Sequence, residues 1–501
     1  MKHGFFNIST GVLGVMLLAS PLLFEAQAQM KEKIVPFAGP PKEWVIFPSS
    51  VRFSADQKHL AYISRKDSKD SKDKKFAVIA DDRMGATYDG ISKDTPIFSP
   101  DGAHVAYRAV KNDKWHVVWD GKEGAAYQAQ SILFFSPDSK HLAYIAQKND
   151  KDFVVVVDGK EKPGYSGVVT ASVLFSPDST RLGYIAYKDK KLVLVMDGKL
   201  SPPYDELSYL TFSLDSKRYA FAAKRGNKWF MVVDGKEEDS SDKIGGCAFS
   251  PDSKRLAYTV MEDDTWRMVV DGKKGPSYDQ LSNAAFSFDS RRIAYAAVKG
   301  KSCFVIMDGI KGRSFDETGV LGFSPDSKHY AYTVRDGKKQ LMVLDGKVSD
   351  PYDTVSIPIF SNDSQHVGFA AKNGEHSLMV MDGKEGKAYN NISTLLFSPD
   401  SKHNAYLAQK GGVWIVVRDG VEGPAYAQVL SPAWSPDSVH LAYIGGVGYT
   451  WWVIVDDQQA KTQFASFIGG SWLIFDDPKN VRGLAIRFPG PEFVSYKLTL
   501  P

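Results

Sequence analysis

Phe249-Ser250-Pro251-Asp252-Ser253, followed by Leu256-Ala257-Tyr258-Thr259-Val260, is the stretch that decides the fold of this chain. Cys247-Ala248-Phe249 reads as the end of one strand, A. Pro251-Asp252-Ser253 is a turn, the proline presetting its own φ. Leu256–Val260 is a short apolar strand B, Glu262-Asp263-Asp264 a polar loop, and Trp266–Val270 a strand C. Asp271-Gly272 is a two-residue hairpin, whose positive φ angles favour Asp-Gly. Ser277–Leu281 reads as strand D, and Asn283-Ala284-Ala285-Phe286 opens the next copy of the same unit.

The unit recurs along the chain. Its turn aspartate stands at Asp56, Asp101, Asp138, Asp178, Asp215, Asp252, Asp289, Asp326, Asp363, Asp400 and Asp437, and from Asp178 onward every step is 37 residues. A degenerate twelfth copy lies near Phe475–Ile486. Helical periodicity is absent. Four short antiparallel strands at a fixed period make a propeller blade. One such sheet cannot bury both faces, whereas a closed ring buries them and protects the edges. The expected fold is all-β: a β-propeller of about twelve four-stranded blades of ~37 residues. Known rings usually hold 4 to 8 blades, so the count points to two tandem six-bladed rings, residues 29–272 and 273–501. One large ring is the alternative, supported by the unbroken 37-residue step across Gly272. Pro41–Phe47 aligns with a strand D that has no blade before it, and Phe493–Leu500 reads as a strand C. The N-terminal strand is therefore expected to complete a blade built from later sequence.

Side-chain columns follow the same period. An aromatic stands six residues after each turn aspartate, as at Tyr144 and Tyr258, and a second aromatic column runs through strand D, as at Tyr127 and Tyr204. Both read as blade-to-blade packing with hydroxyls at polar edges. His59, His104, His141, His329, His366, His403 and His440 stand three residues after the turn aspartate, and Arg181, Arg218, Arg255 and Arg292 occupy the equivalent positions. A ring of titrating imidazoles is one reading. Exchange with arginine, which is no ordinary metal ligand, favours a group that pairs with turn carboxylates or carbonyls. Lys66, Lys111, Lys148 and Lys188 enter the B–C loops, either as a cationic rim for an anionic partner or as solvated hairpin lysines that discourage edge pairing.

The match of Phe135–Ser139, Leu142–Tyr144 and Val156–Gly159 to Phe-Ser-Pro-Asp-Ser, Leu-Ala-Tyr and Val-Val-Asp-Gly resembles the TolB-type, WD-like β-propeller repeat of bacterial envelope proteins. It covers about residues 45 to 500. The resemblance implies a propeller and an envelope setting. The α/β domain that precedes the propeller in TolB is not visible here, nor is the hydrolase domain of related propeller peptidases, so neither specific role carries over.

Acidic and basic residues nearly cancel, 59 against 62, which argues against a nucleic-acid binder driven by bulk charge. Residues 1–28 read as a secretory signal peptide: Lys2 and His3, an apolar run from Gly11 to Phe24, and a cleavage pattern at Ala26-Gln27-Ala28. Export to the periplasm or beyond is expected, with cleavage after Ala28 and no transmembrane segment. Cys247 and Cys303 fall at non-equivalent points of different repeats and read as two buried, unpaired thiols.

No nucleophile elbow, phosphate loop, calcium loop or metal spacing is found. No catalytic, cofactor or metal residue is therefore assigned, and no cofactor is expected. The expected function is binding of an envelope or secreted protein, or of a polysaccharide, through loops that differ between blades. Those loops are Arg65–Lys75 (with Arg65, Lys66 and Lys69), Glu262–Thr265 (with Asp263), Gly374–Ser377 and Val447–Trp452 (with Trp451 and Trp452). The rival reading is a propeller enzyme, a metal-assisted lyase or hydrolase, with its site in the central channel and His116 or His376 as the off-column candidates.

Overall fold

A computed structural model describes residues 30–37, 39–66, 74–467, 472–487 and 492–501. The leader read at residues 1–28 and the candidate Lys69 lie outside the described residues. Within them the chain forms twelve sheets of four or five strands and no α-helix. In blade 6, strand A is Lys243–Phe249, B is Leu256–Glu262, C is Thr265–Val270 and D is Lys273–Tyr278, paired antiparallel in the order A-B-C-D. The A strands of neighbouring blades approach one another, as Glu206–Phe212 does Lys243–Phe249, so the sheets converge at their A edges.

Two boundaries differ from the sequence reading. Strand D of blade 6 ends at Tyr278, and Gln280–Leu281 already pairs with strand B of blade 7, Ile293–Lys299. The chain therefore crosses between blades at Tyr278-Asp279, one turn earlier than the alternation of Ser277–Leu281 suggested. Likewise Trp44–Ile46 is no orphan strand D. It pairs with Leu60–Lys66, Val45 opposite Arg65, and opens blade 1. The strand that completes a later blade lies upstream: Lys31–Pro36 runs antiparallel to Glu492–Thr499, Lys31 opposite Thr499. The expected closure is present with a different strand.

The same pairing decides between one ring and two. The favoured two-ring arrangement required strand D after Gly272 to join the C-terminal strands, and the N-terminal strand to join blade 6. Instead Lys273–Tyr278 pairs with its own strand C, and the N-terminal strand closes blade 12. Tyr62 of blade 1 stacks on Phe493 of blade 12 with ring centroids 6.1 Å apart. The 6/7 seam is bonded like its neighbours, through Asp252 N–H to Ser290 Oγ at 2.8 Å. The twelve blades form one ring, the alternative reading, and no change of contact marks residues 272 and 273.

Sharing a full circle among twelve blades turns each by about 30°, against about 45° for eight. The sheets are thus nearly face to face at each seam, and their inner edges stand away from the axis. Strand B supplies both seam surfaces. Its alanine, such as Ala220, Ala257 or Ala294, is fully buried and admits the neighbouring blade, while the next residue, Phe221, Tyr258 or Tyr295, packs on the opposite face. Tyr258 lies in one cluster with Ala220, Met231 and Val269. Where glycine replaces the alanine, at Gly183 and Gly368, the added space is filled by Met196 and Leu210 or by Met381 and Leu395. Cys247 and Cys303 are unpaired, as expected, and only partly rather than fully buried.

Tyr258→Ala is expected to lower stability by roughly 3–5 kcal/mol, measured by urea unfolding; a loss under about 1 kcal/mol would place that column outside the seam core.

Candidate functional site

The turn motif is the most densely bonded element of the ring. Ser250 Oγ donates to Asp252 Oδ1 at 2.6 Å and accepts from the Arg255 N–H at 2.9 Å. The Lys254 N–H donates to the same carboxylate oxygen at 3.1 Å. Ser253 sits at φ 66°, in the left-handed region that glycine adopts most easily. Its hydroxyl explains why serine stands there: Ser253 Oγ accepts the N–H of Asp215 in the preceding blade, at 3.0 Å. The bond recurs at every seam from 2/3 to 10/11, the last being Asp400 N–H to Ser438 Oγ. This second serine of Phe-Ser-Pro-Asp-Ser was visible as a periodic residue, and a serine where the turn favours glycine was the signal for its role.

The histidine and arginine column has a structural partner in all eleven complete repeats. Each imidazole Nδ1 lies 2.6–2.8 Å from the first aspartate of its own C–D hairpin, as His141 does to Asp158. Each arginine Nε does the same at 2.9–3.1 Å, as Arg255 does to Asp271. Arginine reaches further. Arg255 Nη1 donates to the carbonyls of Ser290 and Arg291 in the next blade, and its guanidinium lies over Phe286, 5.2 Å from the ring centroid. At seam 10/11 the column residue is His403, and Arg418 of strand C takes over that bond, donating to the carbonyl of Val439. The pairing reading of the column is the one the geometry bears out.

The opposite rim carries its own braces. Asp205, Asp279, Asp316 and Asp353, each following the strand-D aromatic, accept a glycine N–H at the B–C tip of the next blade, at 2.6–2.8 Å. Lys339 Nζ meets Asp353 at 2.8 Å from the other side. The strand-D tyrosines reach across seams: Tyr127 donates to Glu161 at 3.0 Å and Tyr204 to Glu237 at 2.7 Å. Burial, then the bond to Glu161, raises the Tyr127 pKa; the bonds from Arg225 and Tyr204 hold Glu237 below the usual carboxylate range.

Most sequence-nominated loop residues are spoken for. Lys111 pairs with Glu123 at 3.2 Å and Lys148 with Glu161 at 2.9 Å. Arg65 lies over Phe47, 5.6 Å from the ring centroid. The Asp263 N–H points at Asp242. Trp451 and Trp452 are partly buried on opposite faces of one strand C, packed into the 11/12 and 10/11 seams respectively. Lys66 and Lys188 are exposed and form no ion pair among the described residues. His116 is buried in blade 2, with Nδ1 3.0 Å from the Gly124 carbonyl, whereas His376 is exposed in blade 9; the structure does not bring them together. Among the described residues no group of three His, Cys, Asp or Glu is placed to hold a metal ion.

Clefts recur between neighbouring blades on the hairpin side of the ring. One of 360 Å³ is lined by Trp119, Lys122 and Glu123 of blade 2 and by Tyr144 and Gly159 of blade 3. Others of 460 and 480 Å³ occupy the equivalent positions at seams 3/4 and 5/6.

No family model matches the chain. No curated protein matches it either. Solved structures are similar in fold. A eukaryotic initiation factor is 13% identical, with a TM-score of 0.35 over 72% of this chain and 96% of its own. TolB from Acinetobacter baumannii is 14% identical, with a TM-score of 0.24 over 49% of this chain and 78% of its own. The β-propeller domain of the Trilobed protease from Pyrococcus furiosus is 12% identical, with a TM-score of 0.26 over 54% and 97%. These likenesses concern the fold alone.

Removing one serine brace tests the seam. Ser290→Ala leaves the half-buried Asp252 N–H without its acceptor and is expected to cost about 1–2 kcal/mol, with Ser290→Gly costing less because glycine relaxes the positive φ; equal losses in urea unfolding would contradict the assignment. Acid tests the turns. Hydrogen bonds from Ser176 and from the Thr180 N–H lower Asp178 to about 2, and Asp326 is held at about 2 in the same way. A carboxyl depressed in the folded state stabilises it above the unfolded pKa of about 3.9, and that stability is lost as pH falls through the folded value. The melting temperature is therefore expected to fall between about pH 4 and pH 2, read by circular dichroism.

Proposed function

We propose that the chain is a non-catalytic binding scaffold, exported to the bacterial envelope or beyond, whose partner is an envelope or secreted protein or a polysaccharide. The observation that supports this reading is how the polar columns are used. The turn serines, the histidine and arginine column and the strand-D tyrosines bond across seams or within their own blade. Those groups hold the ring rigid, and recognition is left to what varies from blade to blade and to the clefts between blades. Rigid frames with variable loops are common recognition surfaces. Equivalent clefts at successive seams suit a ligand that itself repeats, because each further contact is made at high effective concentration.

The test is capture from cell-envelope extract on the immobilised mature chain, with a glycan array probed in parallel. A specific protein or polysaccharide is expected, weakened several-fold by Trp119→Ala in the cleft at seam 2/3. Turnover of a substrate by the purified chain, with activity lost on chelation, would replace the scaffold reading by the enzymatic one.

A further inference from the structure

One seam lacks a side chain that the repeat supplies at the others. Strand D carries an aromatic opposite the start of strand C, as Tyr165 stands opposite Phe153 and Tyr278 opposite Trp266. In blade 5 the same register position, opposite Trp229, is Ser241. At seven other seams the strand-D aromatic lies edge-on to the strand-B aromatic of the next blade, with ring centroids 6.1–6.4 Å apart and planes inclined by 72–78°. Strand D of blade 5, Lys236–Ser241, holds no aromatic, so Tyr258 of blade 6 meets no strand-D ring.

The far end of the brace changes with it. Tyr127 donates to Glu161 of the next blade and Tyr204 to Glu237; the equivalent residue of blade 6, opposite Val269, is Lys274. Two buried hydroxyls are left without a hydrogen-bond partner among the described residues. One is Ser241 Oγ, in a residue 1% exposed. The other belongs to Tyr258, 6% exposed, which lines the 480 Å³ cleft between blades 5 and 6 together with Val233, Leu256, Glu238 and Lys254. Unpaired buried hydroxyls are costly, and each calls for a reason. The joint itself is sound: Asp215 N–H donates to Ser253 Oγ at 3.0 Å, and Arg218 Nη1 to the Lys254 carbonyl at 3.0 Å.

We infer that the cleft at seam 5/6 receives a phenol ring from outside the chain, the side chain of a tyrosine presented by a partner polypeptide. The repeat shows what fits against this column, since tyrosine rings lie edge to face on it at the neighbouring seams. Val233 and Leu256 offer an apolar wall, and the opposite charges of Glu238 and Lys254 favour a neutral ring over an ionised one. Lys274 places a donor where other blades place a carboxylate, and a phenolic oxygen both accepts and donates. The inference deepens the scaffold reading by naming the group that a protein partner presents.

Calorimetric titration of the mature chain with p-cresol and with N-acetyltyrosinamide tests it. Both are expected to bind. Ser241→Tyr supplies the ring from within, and is expected to weaken both by at least tenfold while melting no lower than the parent. Tyr258→Phe keeps the packing, since phenylalanine stands at the equivalent positions 221 and 369, and is expected to weaken both several-fold. Failure of the parent to bind p-cresol, or binding that Ser241→Tyr leaves unchanged, would overturn the inference. So would a Ser241→Tyr chain that melts well below the parent, because the ring would then not fit. Binding of p-cresol without N-acetyltyrosinamide would contradict the polypeptide source. Capture of no partner from envelope extract, with N-acetyltyrosinamide bound and displaced by Ser241→Tyr, would sink the scaffold reading and leave this site standing.

Discussion

A backbone N–H in one blade finds the hydroxyl of a serine in the next, and the geometry of the whole ring follows from that bond and the brace beside it. The serine is held at positive φ by the turn, and the turn is held by Asp carboxylates that accept two or more hydrogen bonds. Each seam is therefore the same wedge, and repeating it nine times repeats the same rotation. Closure falls where the wedge is made differently. At seam 1/2 the serine is replaced by Gly102, and at 12/1 by Gln57, whose buried amide finds no partner. At 12/1 Arg482 of blade 12 donates to the Asp56 carbonyl, and at the other flank of blade 12, seam 11/12, Glu32 of the closing strand accepts the N–H groups of Lys461 and Thr462. A propeller needs one seam assembled from both chain ends, and the sequence departs from its repeat at that seam.

Much of this was legible from residue order. Turn and hairpin chemistry located the strands because Pro, Ser, Asp and Asp-Gly have few other conformational uses. The histidine and arginine exchange identified a pairing column, since both side chains reach the hairpin carboxylate. Ring size was less legible. It depends on the seam angle, a few degrees of tilt set by alanine against tyrosine packing, to which hydrophobic pattern is blind. The closing strand was misplaced for a related reason: Lys31–Pro36 and Trp44–Ile46 are both short alternating segments, and only the pairing partner separates them.

Candidate binding residues were harder still. A lysine in a loop reads the same whether a carboxylate one strand away neutralises it, as Glu161 does Lys148, or no carboxylate among the described residues does, as at Lys188. Trp451 and Trp452 looked like anchors but are seam packing, while Tyr449 between them and Gly448 is the exposed group. Period separates the two kinds of residue well: what recurs in each blade builds the ring, and what occurs once is available for recognition.

Projection images of single particles of the purified chain by electron microscopy test the ring most directly. One toroid with twelve radial lobes and an open centre is the predicted view down the axis. Particles with two smaller lobed discs, or a ring with a gap between its first and last blades, would contradict it.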